Sequence, residues 1–483
     1  MLSRFNSQAL GGRAKLDDVT QLLEKLKTDV DAKKLSNKQR LHLLEELKVH
    51  SRAVEHADPM FTKDGMRTLC RYAFDVGDDK SSREALRCIA NTLLLQPPTR
   101  QLLIDLGYAP KAAEKLKSED TDDEFLLSRI LFLMTYDTDL DYGKLANEHH
   151  LADSINSALH RHARLYSKST ARRLSHCLPM QQPMQEMALS ETLKLLFNVL
   201  HFYPDLAEQF SKSIPNIFKI LVRRKIPTPP LQAPTCYLVN ALINLDLEDH
   251  KGQQLKFLGM NAVFPKFDQK CNAEFLINIL DNAIVAYPEA ELDNQISPVL
   301  TLIRRIYEIA PKEVRKYMEW LLLPSDEERT RPLGKSDTLS SRLLRLSTSA
   351  LTPSLRSNIS TMMFELSDKD ATKFVHNVGY GFASGFLLSN NIQMPENALE
   401  AHAMAQTEAG GGVPVNPITG QRLDREEPRD ETPMTMEEKE REAERLFVLF
   451  ERLKATGVMD VKNPVEEAIR SGRIEELPDD ASD

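Results

Sequence analysis

The sequence predicts an all-α protein built as a helical repeat superhelix, and three observations predict it. Helix-favouring residues dominate while glycine numbers only 18 and aromatics 6%, a balance that suits helices over strands. Apolar residues recur at i, i+3, i+4 and i+7 along most of the 483 residues, the stripe of an amphipathic helix. No run alternates apolar and polar as a strand would. Comparable polar positions then return at intervals near 40: Asn198 and Asn244 are 46 apart, Asn282 follows 38 later, and Arg304 and Arg345 are separated by 41.

Taken in order, "DDVTQLLEKLKTDV" places Val19, Leu22, Leu23 and Leu26 on one face, and "SREALRCIANTLLL" does the same with Leu86, Ile89, Ala90, Leu93 and Leu94. "DDEFLLSRILFLMTYD" opens on acids, which suit a helix N-terminus, and is then apolar on most faces, as a buried helix is. Similar segments follow at "SETLKLLFNVLHF", "APTCYLVNALINLDL", "AEFLINILDNAIVAY", "SPVLTLIRRIYEIAP", "TLSSRLLRLSTSAL" and "LRSNISTMMFELSD". An all-helical chain with a period near 40 points to armadillo- or HEAT-type units. Such units bury their apolar faces only by stacking, which creates a concave surface.

The expected organisation is a disordered terminus over 1–15 and a superhelix over 16–395. A long loop at 167–189 and a proline-rich connector at 225–234 interrupt the superhelix. The second carries "KIPTPPLQAP", whose prolines bar a helix. Residues 396–434, rich in Gly, Pro and charge, read as a flexible linker. An amphipathic helix then spans 435–457, opening on a capping box of Thr435 with Glu438 and stopping at Gly457. Its stripe of Ala443, Leu446, Phe447, Phe450 and Leu453 must dock on the superhelix or on a partner. An acidic tail fills 458–483.

Charge and motifs exclude several function classes. The net charge of −9 is concentrated at the end, where 22 acids face 11 bases from Glu396 onward. The rest of the chain is near +2, which argues against general nucleic-acid binding. Five cysteines, Cys70, Cys88, Cys177, Cys236 and Cys271, form no CxxC pair and imply a reducing cytoplasm. His149, His150, His160 and His162 read as surface or helix-end residues, without the spacing of metal ligands. "GYGFASG" at 379–385 lacks the Lys-Ser/Thr of a phosphate loop and the strand of a dinucleotide fold. Gly379 and Gly381 are expected to end one helix in left-handed geometry, with Ala383 and Gly385 admitting close packing by the next. No cofactor, metal site or catalytic group is expected, and no membrane span.

Polar residues inside apolar helices are the candidate site. Arg83, Arg87 and Asn91 share a stripe at four-residue steps, as do Asn240 and Asn244. Asn198, Arg304, Arg305, Arg342 and Arg345 sit in comparable surroundings. A ladder of Asn and Arg lining a concave groove suits an extended or helical peptide.

"SREALRCIANTLLL", "LKLLFN", "LINLDL", "PLGKSDTLSSRLLRL", "VGYGFASGFL", "NPITGQ" and "MTMEEKEREAERLFVLFERL" together resemble the synembryn family over roughly residues 15–457. The resemblance implies an armadillo/HEAT-like superhelix with a mobile C-terminal segment. It implies a cytosolic guanine-nucleotide exchange factor and folding chaperone for heterotrimeric G-protein α subunits, monomeric and recruited to the membrane periphery or cell cortex by its partner. The groove would take the C-terminal helix of the GDP-bound α subunit, GDP would leave, and the nucleotide-free state would be held until GTP arrives. Where better-known animal members carry an acidic, phosphorylatable stretch before NPxTG, this chain has "EAHAMAQTEAGGGVPV". The alternatives are an armadillo-type adaptor that binds a helical or acidic peptide without exchange, and an enzyme with a non-obvious site.

Overall fold

The computed structural model describes residues 12–166, 182–248, 262–393, 415–416, 418–426 and 435–455. Residues up to Asp424 form one unit, and those from Arg425 onward form another. Twenty α-helices lie among the described residues, and strand pairing among them is limited to one isolated antiparallel bridge, Val415 with Arg422.

Seven helices form a continuous row in which each packs on the next. They are α2 (Asn37–His50), α4 (Asp79–Leu95), α7 (Thr121–Leu133), α10 (Gln182–Phe202), α12 (Thr235–Asn244), α14 (Glu289–Ile309) and α17 (Pro353–Glu365). A second layer of α1 (Gly12–Ala32), α3 (Lys63–Arg71), α6 (Ala109–Lys115), α9 (Leu151–Leu165), α11 (Ile214–Arg223) and α13 (Cys271–Ala286) backs the first six members one for one. Short helices α5 (Thr99–Asp105) and α8 (Tyr142–Glu148) link the layers. Helices α15 (Lys312–Leu322), α16 (Leu339–Leu346), α18 (Ala371–Val378) and α19 (Tyr380–Ser389) close the far end. Helix α20 (Met436–Ala455) belongs to the second unit. This is the stacked helical superhelix that the periodicity predicts.

Local chemistry starts the helices where the pattern requires. Ser36 and Gln39 form a reciprocal capping box at α2, Asp78 accepts the Ser81 N–H at α4, and Asp120 accepts from Asp122 and Asp123 at α7. The predicted stripe of α1, Val19, Leu22, Leu23 and Leu26, is buried against its neighbours. Helix α7, wedged between α4 and α10, is buried on most faces, as its composition predicts. Each of its fully buried leucines and isoleucines contributes about 1.5–3 kcal/mol over an exposed one.

The structure differs from the sequence reading at several places. Helix α1 begins at Gly12, so residues 12–15 are helical, and Lys15 Nζ fastens that turn to the carbonyls of Ala53 (3.2 Å) and Glu55 (2.5 Å). The remaining residues of the expected disordered terminus lie outside the described ones. Helix α10 begins at Gln182, so the expected 167–189 loop ends earlier. Pro183 sits in the first turn, where its missing N–H has no helical acceptor to lose. Residues 415–416 and 418–424, read as linker, are bonded into the end of the superhelix, where buried Arg329 donates to Gly420 O (3.1 Å). Gly379 alone joins α18 to α19, at φ 82° and ψ 150°, outside the left-handed helical region, while Gly381 lies within α19. Gly385 is exposed with open space around it, so no close packing requires it. His162 lies in the last turn of α9, at a helix end as read, but it is buried. Asn282 lies in the second layer and bonds its own helix at Asn278 O, 2.8 Å away, so it is not equivalent to Asn198 and Asn244. The regular spacing belongs instead to the starts of α2, α4 and α7, which are 42 residues apart.

Candidate functional site

Eight of the ten ladder residues lie on helices of the row: Arg83, Arg87 and Asn91 on α4, Asn198 on α10, Asn240 and Asn244 on α12, and Arg304 and Arg305 on α14. Seven of these bridge one helix to the next. Asn91 Nδ2 donates to Ser51 Oγ at the end of α2 (2.9 Å). Arg83 pairs with Asp123 (2.8 Å) and Asp120 (3.0 Å), and Arg87 with Glu84 (2.5 Å) and Asp122 (3.5 Å). Asn198 Nδ2 donates to Thr135 Oγ1 (2.7 Å), and Asn244 Nδ2 to Phe197 O (3.2 Å). Arg305 donates to the carbonyls of Ile243 and Leu245 at the end of α12. Arg304 grips Glu365 on α17 with two parallel bonds (2.8 and 2.6 Å) and Asn358 with a third (2.5 Å). Asn240 is half-buried.

Arg342 and Arg345 stand apart. Both lie on α16, outside the row. Arg342 reaches Asp281 on α13, and Arg345 donates to the carbonyls of Gly334 (2.7 Å) and Ser336 (2.8 Å) in the preceding loop. The helical spacing that links them in sequence was not informative about which layer they join.

Sequence reasoning missed the acidic half of the ladder. Lys48 on α2 pairs with Glu84 (2.5 Å), and Arg129 on α7 with Glu191 on α10 (3.1 Å). Glu124 is 3% exposed and accepts from Thr192 Oγ1 (2.8 Å) and Arg161 Nη2 (3.2 Å), with His162 Nε2 at 2.9 Å. Burial pushes the Glu124 carboxyl up, but the bonds from His162 and Thr192 and the charge of Arg161 outweigh it and hold it below its ordinary value. Asp123 is likewise raised by burial and lowered more by Arg83 and Ser118. The signal that would have found these acids is their register: Asp122, Asp123 and Glu124 fall about 40 residues after Arg83 and Arg87.

An open cleft of about 430 Å³ is lined by Arg304, Arg305, Arg315, Glu308 and Glu365, among others. Its mixed charge suits a polar chain segment. Among the described residues no group of three or more His, Cys, Asp or Glu is placed to hold a metal, and no helix is long and apolar enough to cross a membrane. On α20, Leu446 and Phe447 are each 39% exposed. The side chains of Phe450 and Leu453 lie outside the described residues.

Paired helices stacked in a row, with polar rungs at every step, define a helical-repeat protein. A family model described as "Guanine nucleotide exchange factor synembryn" matches residues 43–473, and the chain belongs to that synembryn family. Among curated relatives, the "Chaperone Ric-8A" of Rattus norvegicus is 25% identical over 475 residues, covering 89% of this chain and 84% of its own length. The Bos taurus "Chaperone Ric-8A" is 24% identical over 491 residues, 93% of this chain and 88% of its own. A "Synembryn-like chaperone" of Schizosaccharomyces pombe is 25% identical over 311 residues, 60% of this chain and 56% of its own length. The chain thus spans little more than half of the Schizosaccharomyces relative and most of the mammalian ones. Among solved structures, an engineered protein shares 13% identity at a TM-score of 0.34, covering 81% of this chain and 95% of that one.

Proposed function

We propose that this chain is a guanine-nucleotide exchange factor and folding chaperone for heterotrimeric G-protein α subunits. The observation that carries the reading is the synembryn family match over residues 43–473, and the chaperones to which the chain is similar support it. The row of stacked helices supplies a surface long enough for a helix of the partner. In this reading the α subunit's own C-terminal helix lies along the row. Its terminal or acidic carboxylates share the guanidinium groups of Arg83, Arg87, Arg304 and Arg305, with Asn91, Asn198, Asn240 and Asn244 bonding its main chain. Arg342 and Arg345 flank the far end.

No covalent chemistry is required. Drawing that C-terminal helix from the core of the α subunit loosens the nucleotide pocket, and GDP leaves. The exchange factor accelerates release only by binding the opened, empty form more tightly than the closed one, and the difference in affinity sets how far the population moves. The same preference protects a newly made α subunit that has not yet closed on nucleotide. Leu446, Phe447, Phe450 and Leu453 of α20 are assigned the second grip, on the body of the opened partner.

The test is GDP release. Purified chain is added to an α subunit loaded with fluorescent GDP, and the release rate is followed against chain concentration. A rate that rises and saturates supports exchange. Binding with an unchanged release rate would make the chain an adaptor.

A further inference from the structure

The outward face of α15 carries side chains that neither the core nor the row uses. Val314, Met318 and Leu322 recur at four-residue steps and are buried. On the opposite side Lys312, Lys316 and Trp320 recur at the same step and are exposed. Trp320 is the chain's single tryptophan. Tryptophan is ordinarily well buried, yet this one is 68% exposed.

The patch continues onto the loop that leads into α13, the helix on which α15 packs. The Tyr317 ring stacks on that of Trp320, with centroids 5.8 Å apart and planes inclined by 23°. Lys270 Nζ lies 4.6 Å from the centroid of the Tyr317 ring. Three residues before Lys270, Phe267 is 85% exposed, and Lys266 beside it is exposed as well. The exposed carboxylates of these two stretches are Asp268 and Glu313, with Glu274 half-buried beside Tyr317. Among the described residues none of them forms an ion pair with Lys266, Lys270, Lys312 or Lys316. Arg315 and Glu319 turn the other way, to Glu308 O and the Tyr307 hydroxyl.

We propose that this face docks the chain on an anionic lipid surface. Two observations select lipid over a protein partner. Trp320 and Phe267 together offer about 300–500 Å² of apolar cover, short of the ~800 Å² that each partner gives a stable protein interface. The four lysines are long, exposed and unpaired, so they can follow mobile phosphate headgroups, whereas a protein would need carboxylates at fixed points. Aromatic rings with a polar edge, flanked by lysines, settle at the boundary between headgroups and acyl chains. The rings supply the apolar contact and the lysines the attraction to negative charge. Neither signal holds a chain on a membrane alone, and the two together give reversible docking. None of these residues lies on a helix of the row, so lipid at this face leaves the polar rungs free.

Because Trp320 is the single tryptophan, its fluorescence reports on the patch without a label. The full chain is titrated with vesicles of phosphatidylcholine alone, and with vesicles of phosphatidylcholine and phosphatidylserine in equal parts. The expected emission shifts to the blue on the mixed vesicles only, is quenched there by brominated acyl chains, and recovers as salt is raised. Lys312→Gln with Lys316→Gln, both on an exposed helix face, should leave the circular dichroism unchanged and weaken sedimentation with the mixed vesicles roughly thirtyfold, at about fivefold per lysine. An emission that mixed vesicles leave unmoved would overturn the proposal, as would an equal shift on phosphatidylcholine alone or wild-type binding by the double variant. A blue shift caused by an added α subunit, or by raising the chain's own concentration, and not by vesicles would assign the patch to a protein and overturn it too.

Discussion

His162 Nε2 lies 2.9 Å from Glu124 Oε1, and both side chains are under a tenth exposed. The pair joins α9 to α7, and Thr192 brings α10 to the same carboxylate. Because the folded Glu124 carboxyl is held below its ordinary value of 4.5, it contributes stability that is fully present above that value. The contribution is lost as the pH falls from there through the folded value. Glu124→Gln should therefore be less stable than the parent at pH 7 by about 3 kcal/mol. The difference should shrink as the pH drops below the ordinary carboxylate value. Urea denaturation across that range, followed by circular dichroism, checks both statements.

The arginines of the row make separable predictions. Arg304 holds Glu365 with two bonds across α14 and α17, so a double-mutant cycle of Arg304→Ala and Glu365→Ala should give a coupling of about 1–2 kcal/mol in stability. Arg87 makes a shorter-range pair with Glu84 on its own helix. Charge-assisted bonds to a partner carboxylate contribute about 1.5–3 kcal/mol, so Arg87→Ala should weaken binding of the α subunit tenfold or more. The same loss is expected of Arg345→Ala. Titration calorimetry with a peptide copying the C-terminal helix of an α subunit reads it, and wild-type affinity in both variants would assign these arginines to the fold alone.

Helix α20 should matter to exchange and not to the superhelix. Changing Leu446, Phe447 and Phe450 together to Ser removes apolar contacts that contribute about 1.5–3 kcal/mol each before ordering costs. The expected outcome is loss of most GDP-release activity, with peptide binding to the row and the melting temperature unchanged. A chain ending at Glu426 should behave in the same way, whereas one ending at Pro395 should also melt earlier, since it loses the turn held by Arg329.

The glycines of "GYGFASG" should bind no nucleotide. The Gly381 N–H is spent on Ile418 O, and Gly379 faces the same carbonyl. A phosphate would need those donors pointing into an open loop. Titration of the isolated chain with fluorescent GDP and GTP should show no saturable binding in the micromolar range.

The helices that were legible carried their own evidence: a stripe such as Val19, Leu22, Leu23 and Leu26, or opening acids such as those of "DDEFLL". Layer membership was not. Arg304 and Arg345 look alike in sequence, yet one bridges two row helices and the other holds its own loop, because stacking depends on which neighbour lies across the interface. The acids Asp123 and Glu124 were read only as helix-start residues, which they are. Their second role appears only when α7 is set against α4 and α9. The turn at 415–422 was hidden by its composition. Gly, Pro and Asn mark a mobile linker and a tight turn equally well, and only the acceptors around Arg329 separate the two.

In the row, each of the seven helices touches its neighbours, and every step carries its own polar tie. Such a stack is mechanically a spring. A small rotation at one interface stretches only the bonds of that interface, while rotations of one sense at all of them add along the axis into a change of pitch. The rungs oppose such rotations: Glu124 and its partners tie three helices together in the middle, and the Asn244–Phe197 bond with Lys194 over the Tyr237 ring ties α10 to α12.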